Sequence, residues 1–119
     1  MLRLNVVFLA LLLPTFCFAK PIDNLMVSNN SGSLISFEGS QRECIGQTDP
    51  HTIRQISHDD FEKLCLGTRC QIAVFSDDSC KYDLGYFTFD PYGGVSNFHI
   101  YYPSYIFEGN QNYIFINWR

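Results

Sequence analysis

Apolar and polar positions alternate along this chain in short runs, and the runs predict strands separated by turns. Positions 70–76 read Cys-Gln-Ile-Ala-Val-Phe-Ser. In a strand, successive side chains point to opposite faces, so Ile72 and Val74 share one face and Ala73 and Phe75 the other. Asp77-Asp78-Ser79 is a turn, and 84–90 is the returning strand, with Phe87 and Phe89 opposite Tyr86 and Thr88. Asp90-Pro91-Tyr92-Gly93-Gly94 is the strongest turn signal in the chain. Proline presets an early turn position, and glycine supplies the positive φ that closes a hairpin. A strand over 95–102 follows and Pro103 ends it. Glu108-Gly109-Asn110 predicts another turn, and 113–118 the last strand.

Upstream the pattern is looser. Leu25-Met26-Val27 is a short apolar run that the polar cluster Ser28-Asn29-Asn30-Ser31-Gly32 converts into a turn. Positions 34–37 are the next strand, and the two predict a first hairpin. Positions 38–50 are polar and broken by Gly39, Gly46 and Asp49-Pro50, which predicts an irregular connection anchored at Cys44-Ile45. Positions 52–56 predict a short strand. A helix is predicted over 57–66: Ser57 stands at the N-cap with Asp60 in the capping-box position. Asp59, Asp60 and Glu62 place negative charge near its N-terminus, where the helix dipole favours it. Phe61, Leu64 and Cys65 form its apolar face, and Gly67 is the natural stop. Short strands, one short helix and no βαβ rhythm predict a mainly β or α+β fold: a small antiparallel sheet or sandwich with one helix over about 57–66.

The first 19 residues stand apart from this pattern. Arg3 is followed by an unbroken apolar run from Val6 to Leu13, then Pro14 and the small residue Ala19. That order is the order of a secretory signal peptide, with cleavage expected after Ala19. Lipidation at Cys17 is the alternative, and bulky Phe16 before it argues against that processing. The run is shorter than the roughly 20 residues a spanning helix needs. The expected mature chain is therefore one β-rich domain over 20–119, secreted or periplasmic, with no transmembrane segment.

Export changes what the cysteines mean. Of the 5 cysteines, Cys17 leaves with the leader, and Cys44, Cys65, Cys70 and Cys80 remain. An even number in a short exported chain predicts a disulfide framework. The favoured pairs are Cys65–Cys70, with Gly67 turning the chain between them, and Cys44–Cys80. Pairing Cys44 with Cys65 and Cys70 with Cys80 is nearly as good. Charge narrows the partners. The whole chain carries 8 basic against 12 acidic residues, and loss of Arg3 makes it more acidic still. With no basic run, nucleic acid is not an expected partner, since phosphate recognition needs clustered Lys and Arg.

Few side chains offer chemistry. His58 and Glu62, at i and i+4, share a helix face, but no further metal ligand is near in sequence. A solvated helical turn is the plainer reading. His99, set against Phe98 and Ile100, reads as a surface histidine. A cysteine nucleophile needs a free thiolate, which paired cysteines do not supply, and no G-x-S-x-G elbow occurs. Asp77, Asp78 and Asp83 are the calcium candidates, although aspartates are also ordinary turn residues. No cofactor or metal is expected. Asn29-Asn30-Ser31 is a formal glycosylation sequon, meaningful only in a eukaryotic secretory route. The surplus lies in aromatic residues, which occupy thirteen of the thirty-eight positions from Tyr82 onward. Exposed Tyr and Trp are amphipathic and lose little rotamer entropy on binding. Tyr92, Tyr101, Tyr102, Tyr105, Tyr113 and Trp118 are accordingly the ligand-binding candidates.

Leu64, Cys65, Gly67, Cys70, Phe75, Asp78, Cys80, Asp90, Gly94 and Val95 form a spaced set. The set resembles a pattern in small exported cysteine-containing proteins of unknown function from Gram-negative bacteria. It spans about a third of the expected mature chain. The chain departs from the pattern at Lys81, where those proteins have glycine. The resemblance implies an exported β-rich domain and carries no catalytic residue. The leading expectation is a non-enzymatic binding or interaction protein of unknown ligand, with a protein or glycan as partner, of the virulence-associated kind. The first alternative is a carbohydrate-binding module using the C-terminal aromatics. The second is a small secreted hydrolase built from His51, His99 and the acidic turns.

Overall fold

The computed structural model describes residues 20–119. The leader expected over 1–19 lies outside the described residues. Nine strands and one helix follow in order: β1 (Leu25–Asn30), β2 (Ile35–Glu38), β3 (Cys44–Thr48), β4 (Thr52–Ile56), α1 (His58–Leu64), β5 (Cys70–Phe75), β6 (Asp83–Asp90), β7 (Gly94–Ile100), β8 (Tyr105–Asn110) and β9 (Tyr113–Trp118). They form a four-stranded sheet, β4-β1-β9-β8, and a five-stranded sheet, β3-β2-β5-β6-β7. All pairings are antiparallel except β1 with β9, which is parallel. The mainly β architecture with one short helix is therefore the one the alternation predicts.

One core joins the two sheets. Leu25 and Val27 on β1 and Ile114 and Ile116 on β9 are fully buried, as are Ile35 and Phe37 on β2, Ile72 and Val74 on β5, and Phe87 and Phe89 on β6. All belong to a single cluster. Inward residues alternate with outward ones along the strands, so the sheets pack face to face as a sandwich. The helix closes a side of this core: Phe61 and Leu64 are buried, and the Phe61 ring meets Phe89 edge-on at 4.7 Å. Among the described residues, no helix is long and apolar enough to cross a membrane.

The structure departs from the predicted elements in five places. β1 runs through Ser28, Asn29 and Asn30 instead of turning there. The reason is Asn29, fully buried, whose side-chain amide faces the carbonyls of Ser33 (2.8 Å), Thr48 (3.0 Å) and Asp49 (3.2 Å). Second, β1 and β2 form no hairpin. They lie in different sheets, and β1 pairs with β4 and β9. Third, the predicted irregular connection contains β3. Its pairing with β2 slips by one residue between Ile35 and Phe37, and Gly46, at φ +75°, absorbs the bulge where a side chain would strike Ile56 and Phe37. Fourth, Glu108-Gly109-Asn110 belongs to β8, and the turn falls on Gln111-Asn112. Gly109 serves close packing there, since a Cβ would press on Val95 and Phe98 of the other sheet. Fifth, α1 ends at Leu64, before Gly67, and Ser57 makes no side-chain cap. Cys65 is already extended, and its bond to Cys70 ties the helix end to the start of β5.

The second disulfide joins Cys44 to Cys80. It draws the β5–β6 loop back over β2, where the Cys80 sulfur lies 3.3 Å from the Ser36 hydroxyl. Asp77 shapes that loop. Its carboxylate accepts the backbone N–H groups of Ser79 (2.7 Å), Lys81 and Tyr82 (2.7 Å) and the Ser79 hydroxyl. Both disulfides thus fasten a loop or helix end to the five-stranded sheet.

Candidate binding face

Strands β6 and β7 carry an exposed aromatic group on the outer surface of the five-stranded sheet. Tyr86 and His99 are register partners. Their rings stack with centroids 5.0 Å apart and planes 21° apart. Tyr101, just past β7, closes on both edge-on, at 6.3 Å from Tyr86 and 5.3 Å from His99. Tyr101 is half exposed, and His99 is exposed.

A local irregularity makes this group. Tyr86 faces His99 while Thr88 faces Ser96, so Phe87 opposes both Asn97 and Phe98. Asn97 holds the extra position in the left-handed region, at φ 52°, a conformation asparagine tolerates better than most residues. Without the bulge, Ser96 and His99 would fall on opposite faces, being three residues apart. The bulge turns Phe98 inward toward Phe87, with centroids 6.1 Å apart, and leaves His99 outside beside Tyr86. Desolvation, then the nearby Asp83 and Tyr86, hold the Tyr101 phenol above its ordinary pKa. Tyr101 therefore presents a neutral hydroxyl, able to donate, throughout the neutral range.

The six aromatic candidates do not converge on this face. Tyr101 belongs to it. Tyr102 borders a neighbouring open cleft of about 270 Å³ with Tyr82 and Tyr105. Tyr105 meets Trp118 edge-on at 6.1 Å and places its hydroxyl 3.0 Å from that of Ser33. The Trp118 indole covers Gly32 and stays half exposed. Tyr113 stacks on Phe115 at 5.3 Å, on the four-stranded sheet. Tyr92 stands at the β6–β7 turn, 70% exposed. Tyr86 and His99 were not among the candidates. Tyr86 was legible from its parity against Phe87 and Phe89, but its meeting with His99 depends on the bulge.

Of the calcium candidates, Asp77 and Asp83 are committed to structure and Asp78 is exposed. The oxygens of Asp77 are occupied by the loop it organises. Desolvation raises its pKa, and the hydrogen bonds from Tyr82, Ser79 and Lys81 outweigh that and lower it overall. Asp83 accepts the Gly85 N–H at 3.1 Å. Among the described residues, no three His, Cys, Asp or Glu side chains are grouped to hold a metal. All four cysteines among the described residues are paired. The Asn29 sequon is closed in the folded chain, because the side-chain nitrogen that a glycan would occupy is buried and faces three carbonyls.

The histidines separate cleanly. Among the described residues, neither His51 nor His99 has a carboxylate within 4.0 Å; His58 alone does, with Asp23 at 3.5 Å and Glu62 at 3.2 Å. General acid–base work needs partners in hydrogen-bond reach, which the arrangement of His51, His99 and acidic turns does not supply. What the aromatic face offers is stacking area with hydroxyl and imidazole edges. No protein-family model matches the chain, and no curated protein or solved structure shows significant similarity to it.

Proposed function

We propose that this protein is an exported, non-enzymatic binding module, working in the periplasm or outside the cell. Its working surface is the face formed by Tyr86, His99 and Tyr101. The observation that carries the reading is this exposed, mutually packed aromatic group on a sheet braced by two disulfides. Rings already ordered by their neighbours lose little freedom on binding, so contact area converts into affinity efficiently. The partner class favoured is a protein surface. A virulence-associated role fits an exported module of this size and rests on the resemblance alone.

A carbohydrate-binding role is the second reading, favoured by the half-exposed Tyr101, Tyr102 and Trp118 rings. Aromatic platforms of this kind suit the apolar faces of sugar rings.

The test is a pull-down with the folded domain, set beside a glycan array. Wild type is compared with Tyr86→Ala/Tyr101→Ala and, separately, with Tyr102→Ala and Trp118→Ala. Loss of a central aromatic anchor should weaken a protein complex about tenfold or more, the scale of a binding hot spot. Binding that survives the double substitution unchanged removes the proposed face. Glycan binding abolished by Tyr102→Ala or Trp118→Ala would transfer the function to the second reading.

A further inference from the structure

A cleft of about 170 Å³ opens where the segment before β1 crosses the helix. It lies apart from the aromatic face, so either reading can fail alone. Its inner wall is Phe61 of α1 and Phe89 of β6, and Tyr92 borders it from the β6–β7 turn. Ile22 forms the opposite wall and is held in place by its N–H, which donates to the Pro91 carbonyl at 2.6 Å. Asp23 and Glu62 stand on either side of His58, all three more than half exposed. Among the described residues, no lysine or arginine lines the cleft, although the exposed Lys20 is next to Pro21 on its rim.

We propose that this cleft binds a small organic cation with an apolar body, of the alkylammonium or quaternary ammonium class. Two features select that chemistry together. The walls are apolar, and the exposed Tyr92 ring, with Phe61 and Phe89 buried behind the cleft, offers a face that attracts a cation through its quadrupole. The rim carries two carboxylates against one histidine, and these three side chains sum to a negative charge whether His58 is neutral or protonated. An anion is repelled there, and a strongly hydrated inorganic cation gains nothing from the apolar walls. An ammonium group with methyl or alkyl substituents meets both features, with its charge toward Asp23 and Glu62 and its carbon atoms against Ile22 and Tyr92.

The experiment is a titration of the isotopically labelled, disulfide-intact protein, followed by backbone amide shifts. The probes are tetramethylammonium chloride, butylammonium chloride, sodium chloride and the neutral alcohol 3,3-dimethylbutan-1-ol. Saturable shifts at Ile22, Glu62, Thr68 and Tyr92 are expected with the two organic cations, at about millimolar affinity. Sodium chloride should produce no saturable shift there, and the alcohol should bind about tenfold more weakly or not at all. Tyr92→Ala and Glu62→Gln, both at exposed positions, should each weaken the ammonium titration about threefold to fivefold. Their amide dispersion should otherwise match wild type. Absence of saturation up to about 0.1 M would overturn the proposal. So would equal binding of the alcohol, which reduces the cleft to an apolar dent, or indifference to both substitutions.

Discussion

Asn29 and Asn30 are adjacent, chemically identical, and predicted to behave in opposite ways on substitution. Asn29 is fully buried. Its amide points at three carbonyls, on Ser33, Thr48 and Asp49, and its oxygen accepts the Ser31 N–H (3.0 Å) and hydroxyl (2.7 Å). An amide has only two donor hydrogens, so one is shared between acceptors. These contacts join β1, in the four-stranded sheet, to the β1–β2 loop and to the β3–β4 turn, and so clamp one end of the sandwich. In Asn29→Ala the Ser31 hydroxyl keeps the Ser33 carbonyl at 3.2 Å. The Ser31 N–H and the Thr48 carbonyl lose their Asn29 partner inside the protein. Each such buried loss costs about 1–3 kcal/mol, giving about 2–6 kcal/mol together. That is a large share of the 5–15 kcal/mol typical of a domain. At roughly 4–8 °C per kcal/mol, Tm should fall by at least about 8 °C. Asn30→Ala removes an exposed hydrogen bond to Asn117 at 2.7 Å and a long one from the Ser28 hydroxyl at 3.4 Å, and should stay within about 0.5 kcal/mol of wild type. Urea unfolding monitored by fluorescence, with both variants side by side, measures the difference. If Asn29→Ala costs under about 1 kcal/mol, or matches Asn30→Ala, the clamp reasoning is wrong.

Two further predictions concern the loops. Removing the Cys44–Cys80 bridge with a pair of serines frees a separation of 36 residues, against 5 for Cys65–Cys70. Loop-closure entropy makes these losses about 4 and about 2 kcal/mol, and denaturant midpoints that reverse the order would refute the estimate. Asp77 has a folded-state pKa below its unfolded value, so the unfolded chain binds more protons between the two. Its contribution is present above about pH 4 and is lost as pH falls through the folded value. Thermal melts from about pH 6 to pH 2 should show Asp77→Asn with a shallower acid slope than wild type, and identical slopes would count against it. The flattening is partial, because Asp90 is also held below its ordinary pKa by the Tyr92 and Gly93 N–H groups and titrates nearby.

The legible part of the fold is the part held by local chemistry. β5, β6 and β9 follow their alternation, and the Asp90–Gly94 turn follows its residues: the Asp90 carboxylate accepts the Tyr92 N–H at 2.8 Å. The illegible part depends on partners distant in sequence. Ser28-Asn29-Asn30 has the composition of a turn and becomes strand only because Thr48 and Asp49 wait for the Asn29 amide. β1 finds its parallel neighbour β9 at the other end of the chain, with Met26 opposite Tyr113 and Asn30 opposite Asn117. No periodicity in either segment encodes that meeting. Gly109 reads as a turn breaker until Val95 and Phe98 are seen to need its missing side chain.

The candidate face shows the same division at the scale of one residue. Outward Tyr86 is encoded by parity, and His99 and Tyr101 are encoded as outward positions of their own segment. Their assembly into one packed group is encoded by neither. It follows from Asn97, whose left-handed backbone inserts one residue opposite Phe87 and so brings the two segments into phase. The bulge also links binding to folding. The same displacement that exposes His99 buries Phe98 against Phe87, in contact with the hydrophobic cluster that includes Leu84 and Phe89. Phe98 is partly buried and favours the bulged register because the straight register would put its ring wholly in water, at a cost below the ~1.5–3 kcal/mol of a fully buried side chain. The aromatic face is therefore held by core packing beneath it as well as by contacts among its own rings. A surface residue there can be exchanged without moving the strand, whereas a change at Phe98 would be felt by His99 at once.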